Sequence, residues 1–303
     1  MIDAAARKKR AGRTRWRLGG DERGVALVAV LWVTVVLGLI AAVFMRETRV
    51  AVNLARNDIE NAKAEAIADA GINRAELGLL GLDAALPWSV DGTPYSFAFA
   101  DGTVTVSMQD EGGKIDLNRS AGPVLQGLFT SVGVAPEAAS HLADAISDFR
   151  DADNLRRLNG AEDADYAAAN LPYDAKDAPF ATTEELQQVL GMTRPLYDRV
   201  APLITVYSPR RDVNLATATP DVLRALPYLT PERVSALLQQ REAAGSGARR
   251  FRVMAVTILA AATTANGGNF IREAVLRRSS DATLPFQVVE WRRRWSGDVA
   301  PTP

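Results

Sequence analysis

The sequence contains no cysteine. Disulfide staples, thiolate metal sites and cysteine nucleophiles are therefore all excluded. Histidine is nearly absent as well, with His141 the single one among 303 residues. That removes a histidine-rich zinc cage and argues against a Ser-His-Asp triad. There is no surplus of charge of either sign: 35 Lys and Arg stand against 36 Asp and Glu, a net charge of −1. No global basic field is present to draw in nucleic acid. Apolar material is not lacking, at 48% of residues, and the length suits about two folded units of about 150 residues each.

The near-zero net charge hides a polarised N-terminus. Residues 1–24 carry eight bases, Arg7 to Arg23, against the three acids Asp3, Asp21 and Glu22. Val25 to Met45 then runs for 21 residues without a charge. As a helix this run covers about 32 Å, enough to cross the hydrocarbon core of a bilayer. The basic flank keeps residues 1–24 on the cytoplasmic side and sends the C-terminal bulk across. A cleaved secretory signal fits poorly. The run is too long, and Phe44-Met45-Arg46-Glu47 follows it where a small-residue cleavage box would stand.

From Arg46 to Leu77 there is no proline, and no glycine before Gly71. Val52, Ala55, Ile59, Ala62, Ala66, Ala70 and Asn73 recur at near-helical spacing. The expectation is one helix of about 50 residues, its first half in lipid and its second half packing an alanine-rich stripe. Gly71, Gly78 and Gly81 are expected to loosen and end it.

The period then changes. Tyr95–Ala100 and Thr103–Met108 alternate around Asp101-Gly102, which reads as a hairpin with a type I′ turn. Strand-like runs return at Arg250–Leu259, Phe270–Arg278 and Phe286–Arg293, with Asn266-Gly267-Gly268-Asn269 as a turn. Between them, residues 112–245 are helical in pattern. The fold class is α+β: a long N-terminal helix on an antiparallel sheet (90–111 and 246–295), with a helical insertion between strands. The helix divides into a membrane part, 25–45, and an outer part, 46–85; residues 296–303 read as a disordered tail.

The insertion contains a repeat. Ile115-Asp116-Leu117-Asn118, Leu125 and Leu128 recur 98 positions on as Val213-Asn214-Leu215-Ala216, Leu223 and Leu226. Each copy leads into a second helix, Pro136–Arg150 or Pro231–Arg241, in a helix-hairpin-helix or SAM-like arrangement. Such pairs grip nucleic-acid backbone when a glycine-rich hairpin brings N–H groups to phosphate. Here Pro227-Tyr228-Leu229-Thr230-Pro231 has neither glycine nor base, and Ser131–Ala135 has one glycine and no base. A structural helix pair is the favoured reading, with a membrane-tethered DNA receptor as the alternative.

One cluster could carry chemistry. Between 148 and 165 six acids (Asp148, Asp151, Asp153, Glu162, Asp163, Asp165) meet three bases. Several oxygen donors on one loop suit a hard cation such as Ca²⁺. The EF-hand spacing is absent, so a solvated acidic loop remains open, as does a carboxylate pair for hydrolysis.

Several segments resemble a known family. They are Gly24–Trp32, Asp110–Asn118, Asp144–Asp153, Gly160–Tyr166, Pro179-Phe180 with Glu185-Leu186, and Gly191-Met192. Together with the order of basic leader, apolar helix and terminal strands, they resemble the type IV pilin and pseudopilin class. More narrowly, they are similar to the general secretion pathway K family, the large minor pseudopilins of type II secretion. The resemblance implies cleavage by a prepilin peptidase after Gly24 and methylation of the new terminus at Val25. It implies that Ala29 occupies the position where most pilins carry an assembly glutamate, as is usual in the K-type proteins. It implies calcium in the inserted domain, here assigned to Asp148, Asp151, Asp153, Glu162 and Asp163. Its implied setting is the inner membrane, crossed once, with the C-terminal domain periplasmic. Its implied partners are other minor pseudopilins in a tip complex, the inner-membrane assembly platform and secreted cargo, with no enzymatic activity and no nucleic acid.

Overall fold

The structure is a computed structural model that describes residues 22–83, 85–244, 253–281 and 283–295. It divides into two compact units, with the division after Asn57. Most of the expected leader and the whole of the 296–303 tail lie outside the described residues.

Helix α1, Glu22–Leu79, runs through the division over 58 residues. From Val25 to Asn57 its side chains are exposed all round, including Val25 at 72%, Trp32 at 71% and Phe44 at 71%. The helix is long and apolar enough to cross a membrane. The hydroxyls of Thr34 and Thr48 donate back to the carbonyls of Leu31 and Phe44, so neither needs water.

In the second unit α1 buries Ala64, Ile67, Ala68, Gly71, Ile72 and Ala75, a helical stripe facing a sheet. This corrects the expected stripe, because Val52, Ala55, Ile59, Ala62, Ala66 and Asn73 are all exposed. The contact is set by closeness of approach. A Cβ on Gly71 would lie 2.8 Å from Val104 Cγ2, and one on Gly78 would lie 2.4 Å from the Trp88 ring. Neither glycine loosens the helix; both let it lie against its neighbours. The end comes at Gly81, whose φ of +73° supports two bonds: Gly81 N–H to Gly78 and Leu82 N–H to Leu77.

The main sheet is antiparallel throughout. Its strands are β1 (Asp91–Phe99), β2 (Gly102–Asp110), β5 (Ala255–Thr264), β6 (Asn269–Arg278) and β7 (Phe286–Arg294), in the spatial order β1-β2-β5-β6-β7. Two corrections apply. Phe99 pairs with Gly102, so the β1–β2 loop is Ala100-Asp101. Of those two residues only Ala100 has positive φ (51°), so the turn is not type I′. The strand expected at 250–259 is Ala255–Thr264; 245–252 lie outside the described residues. Val104, Val106 and Met108 of β2 and Val256, Ile258 and Ala260 of β5 form the core under α1.

Between β2 and β5 lies the insertion, with a second core of its own. Its helices are α2 (Gly122–Ser131), α3 (Pro136–Arg150), α4 (Asp163–Ala168), α5 (Arg194–Val200), α6 (Pro220–Ala225) and α7 (Pro231–Ala244). A parallel ladder that the local pattern does not reveal joins β3 (Ile115–Asp116) to β4 (Ile204–Thr205). The repeat is physical. Asp116 accepts from Asn118 N–H as Asn214 accepts from Ala216 N–H. Arg150, ending α3, donates to the carbonyls of Leu117 and Ser120; Arg241 on α7 donates to those of Leu215 and Ala218. The same loop is clamped twice by an arginine from the helix that follows.

Asp110 and Glu111 join sheet to insertion. Asp110 accepts from Gly112 N–H, Asn214 Nδ2 and Thr217 Oγ1. Glu111, 2% exposed, accepts from Lys114 Nζ and Thr257 Oγ1, both at 2.6 Å, and from Thr205 Oγ1. Buried carboxylates are costly unless saturated in this way. The segment 110–118 is thus the hinge block on which the insertion is mounted.

Candidate functional site: an acidic loop after α3

Helix α3 delivers Asp148, with no exposed surface, and ends at Arg150 with Asp151 as its C-cap. The chain then loops out and returns through Gly160 to α4. A Cβ at Gly160 would fall 1.8 Å from Asp148 Oδ2, so only glycine passes there. Asn159 pins the loop back to α3: its N–H donates to Asp144 Oδ2, its Nδ2 donates to Ser140, and its carbonyl contacts His141 Nδ1. The single histidine therefore serves loop anchoring.

Arg157 holds the first two acids. Its Nη1 lies 2.5 Å from Asp148 Oδ1 and 2.6 Å from Asp151 Oδ2, and its N–H donates to Asp148 Oδ2. These carboxylates raise the affinity of the guanidinium for its proton. Beyond Arg157 the negative charge is under-compensated. Both Glu162 oxygens, and one oxygen each of Asp151, Asp163 and Asp177, are buried without a hydrogen-bond partner. Burial, then the charges of Asp148, Asp151, Asp177 and Asp163, push the Glu162 carboxyl up to about 7. Asp177 is raised in the same way by burial and by Asp163, Asp151, Asp174 and Asp153.

The structure brings together Asp148, Asp151, Glu162 and Asp163 of the expected set. Asp153 sits at the edge of the group: it is exposed, accepts from Leu155 N–H and reaches Asp177 only through its charge. Asp177, which arrives from a separate loop with a φ of 51°, was not foreseen. It follows the acidic stretch by a dozen residues, and only the fold of 170–178 carries it back. The donor chemistry, unpaired hard oxygens in mutual repulsion, fits a divalent cation. Among the described residues, however, no three acidic side chains already converge as a finished cage.

Tyr166 on α4 backs the loop from inside. It is fully buried, donor N–H of Leu190 meets its hydroxyl at 3.0 Å, and burial pushes it up to about 12. Phe180 stacks on Phe149 at 5.2 Å and is held by Asn118, which both donates to its carbonyl and accepts from its N–H. At the other end of the chain, Gly24, Val25 and Ala29 lie in the first turns of α1, with Val25 and Ala29 exposed.

Residues 105–210 match the family model described as "Type II secretion system (T2SS), protein K". The type II secretion system protein K of Klebsiella pneumoniae is 27% identical, the match covering 74% of this chain and 76% of the relative. That of Pseudomonas aeruginosa is 25% identical over 73% and 72%. A chain in the crystal structure of the GspK-GspI-GspJ complex of the enterotoxigenic Escherichia coli type 2 secretion system shares the fold. Its TM-score is 0.53 at 21% identity, covering 82% of this chain and 100% of that one. The matched domain falls on the hinge block, the first helix pair and the acidic loop, and it is there and across these relatives that the chain is similar to the type II secretion system protein K family.

Proposed function

We propose that this protein is a membrane-anchored minor pseudopilin that caps the tip of a type II secretion pseudopilus, with other minor pseudopilins, and initiates its assembly. The observation that carries the reading is the insertion at 112–245, a second cored body mounted on the pilin-like sheet through Asp110 and Glu111. A fibre subunit must leave room for the next one, and a body of this size suits a subunit with none above it. The uncharged stretch from Val25 to Met45 supports the same reading, since Ala29 offers no carboxylate to a neighbouring terminus and costs nothing in lipid.

On this reading a prepilin peptidase cuts after Gly24, Val25 becomes the methylated terminus, and the anchor crosses the inner membrane once. The platform below and cargo above are its further contacts. The acidic loop takes calcium, with Asp151, Glu162, Asp163 and Asp177 as ligands and Asp148 held by Arg157; the ion would supply charge neutralisation and loop order. No catalysis is assigned. The test is co-purification of the full chain with two smaller minor pseudopilins from detergent-solubilised membranes. A complex with one copy of each is expected; a chain that elutes alone under the same conditions would contradict it.

A further inference from the structure

The insertion and the sheet enclose a cavity of about 620 Å³ remote in chemistry from the acidic loop. Five arginines line it (Arg119, Arg150, Arg211, Arg277 and Arg278), and no acidic residue does. In a chain of net charge −1 this is a local concentration of one sign. Four arginines elsewhere, Arg157, Arg272, Arg292 and Arg294, each hold carboxylates. In the cavity, Arg150 is spent on the carbonyls of Leu117 and Ser120, and Arg278 on that of Val253. Arg119, Arg211 and Arg277 form none of the ion pairs found among the described residues and stand exposed at the mouth. Asp116, whose charge Arg119 and Arg150 feel, is buried below and does not line the space.

The walls between the arginines are apolar: Pro179, Val206, Pro209 and Met254. Planar guanidinium forks over such walls match carboxylates carried on a chain that also has apolar side chains. A nucleic acid would be better met by aromatic platforms, and the one aromatic here, Tyr207, directs its hydroxyl to Glu290. Free phosphate would not use the apolar walls.

We propose that this cavity is a binding site for an acidic, apolar-interspersed peptide segment of another protein, whose carboxylates pair with Arg119, Arg211 and Arg277. The site stands independently of where in the fibre the subunit sits.

The test is calorimetric titration of the full chain in neutral detergent with a short, end-blocked peptide of alternating Glu and Leu. Peptide-into-micelle and Gln-Leu peptide titrations set the background. Saturable binding that weakens with salt is expected, reduced about tenfold or more by Arg211→Gln with Arg277→Gln and unchanged by Arg233→Gln outside the cavity. Inorganic phosphate should not compete. All substituted side chains are exposed, and retention of the wild-type melting temperature confirms the fold; should the double variant melt early, Arg277→Gln alone carries the comparison. Equal loss with Arg233→Gln, no loss in the cavity variants, competition by phosphate, or tighter binding of duplex DNA would each overturn the proposal.

Discussion

Glu162→Gln is the sharpest probe of the acidic loop. Glu162 is 5% exposed, lacks a hydrogen-bond partner, and is pushed from 4.5 to about 7 by burial and by four neighbouring acids. A raised carboxyl holds its proton more tightly folded than unfolded. Without metal, stability is therefore full below the unfolded value near 4.5 and is lost as pH climbs through about 7. At about 1.4 kcal/mol per unit, ionising Glu162 at pH 8 costs up to about 3 kcal/mol. Glutamine keeps the volume and removes the charge, so the metal-free variant should gain most of this at pH 8 and little at pH 4. For a domain of this size the gain corresponds to a rise in melting temperature of roughly 5–10 °C. Melting of the full chain in neutral detergent, scanned from pH 4 to pH 8 with chelator and then with calcium, reads both effects. Calcium should stabilise the wild type at pH 8 and the variant much less, because the ion repays a repulsion that the variant lacks. Parallel pH profiles for the two proteins in chelator would refute the electrostatic account. Equal stabilisation of both by calcium would remove Glu162 from the ligand set.

Three further substitutions address other parts of the molecule. Gly24→Ala should leave the leader attached, seen as a larger species on a blot of membranes; unchanged processing would count against the pilin-type cleavage. Glu111→Ala strands Lys114, Thr205 and Thr257 at the hinge block and should cost about 3 kcal/mol, read as a lower urea midpoint. Gly71→Val drives a side chain into Val104 and Val106 and should cost about 1–3 kcal/mol by the same measurement.

Local signals carried much of this fold. Pro136 at the first turn and Arg150 in the last bound α3 where the sequence placed it, and the 3.6-to-2 change of period marked the passage from α1 to β1. Insertion between strands was legible because strand patterns flanked a proline-punctuated helical stretch. What failed depended on partners far away. Within the second unit, the buried face of α1 is chosen by how near Val104 and Val106 come at Gly71, which favours small residues such as Ala64, Ala68 and Gly71 over the larger Ile59. The Ile115–Ile204 ladder has only two pairs and no periodic trace. In the acidic loop the run of acids was plain, but Asp177 and the bridging of Asp148 to Asp151 by Arg157 arise from loop paths that spacing does not encode.

The most direct measurement of the central claim is the position and copy number of this subunit in purified pseudopili, by gold labelling of an epitope on the insertion together with quantitative mass spectrometry. Label at one end of each fibre, with about one copy per fibre whatever its length, is the expected result. Label distributed along the shaft, in proportion to fibre length, would contradict it.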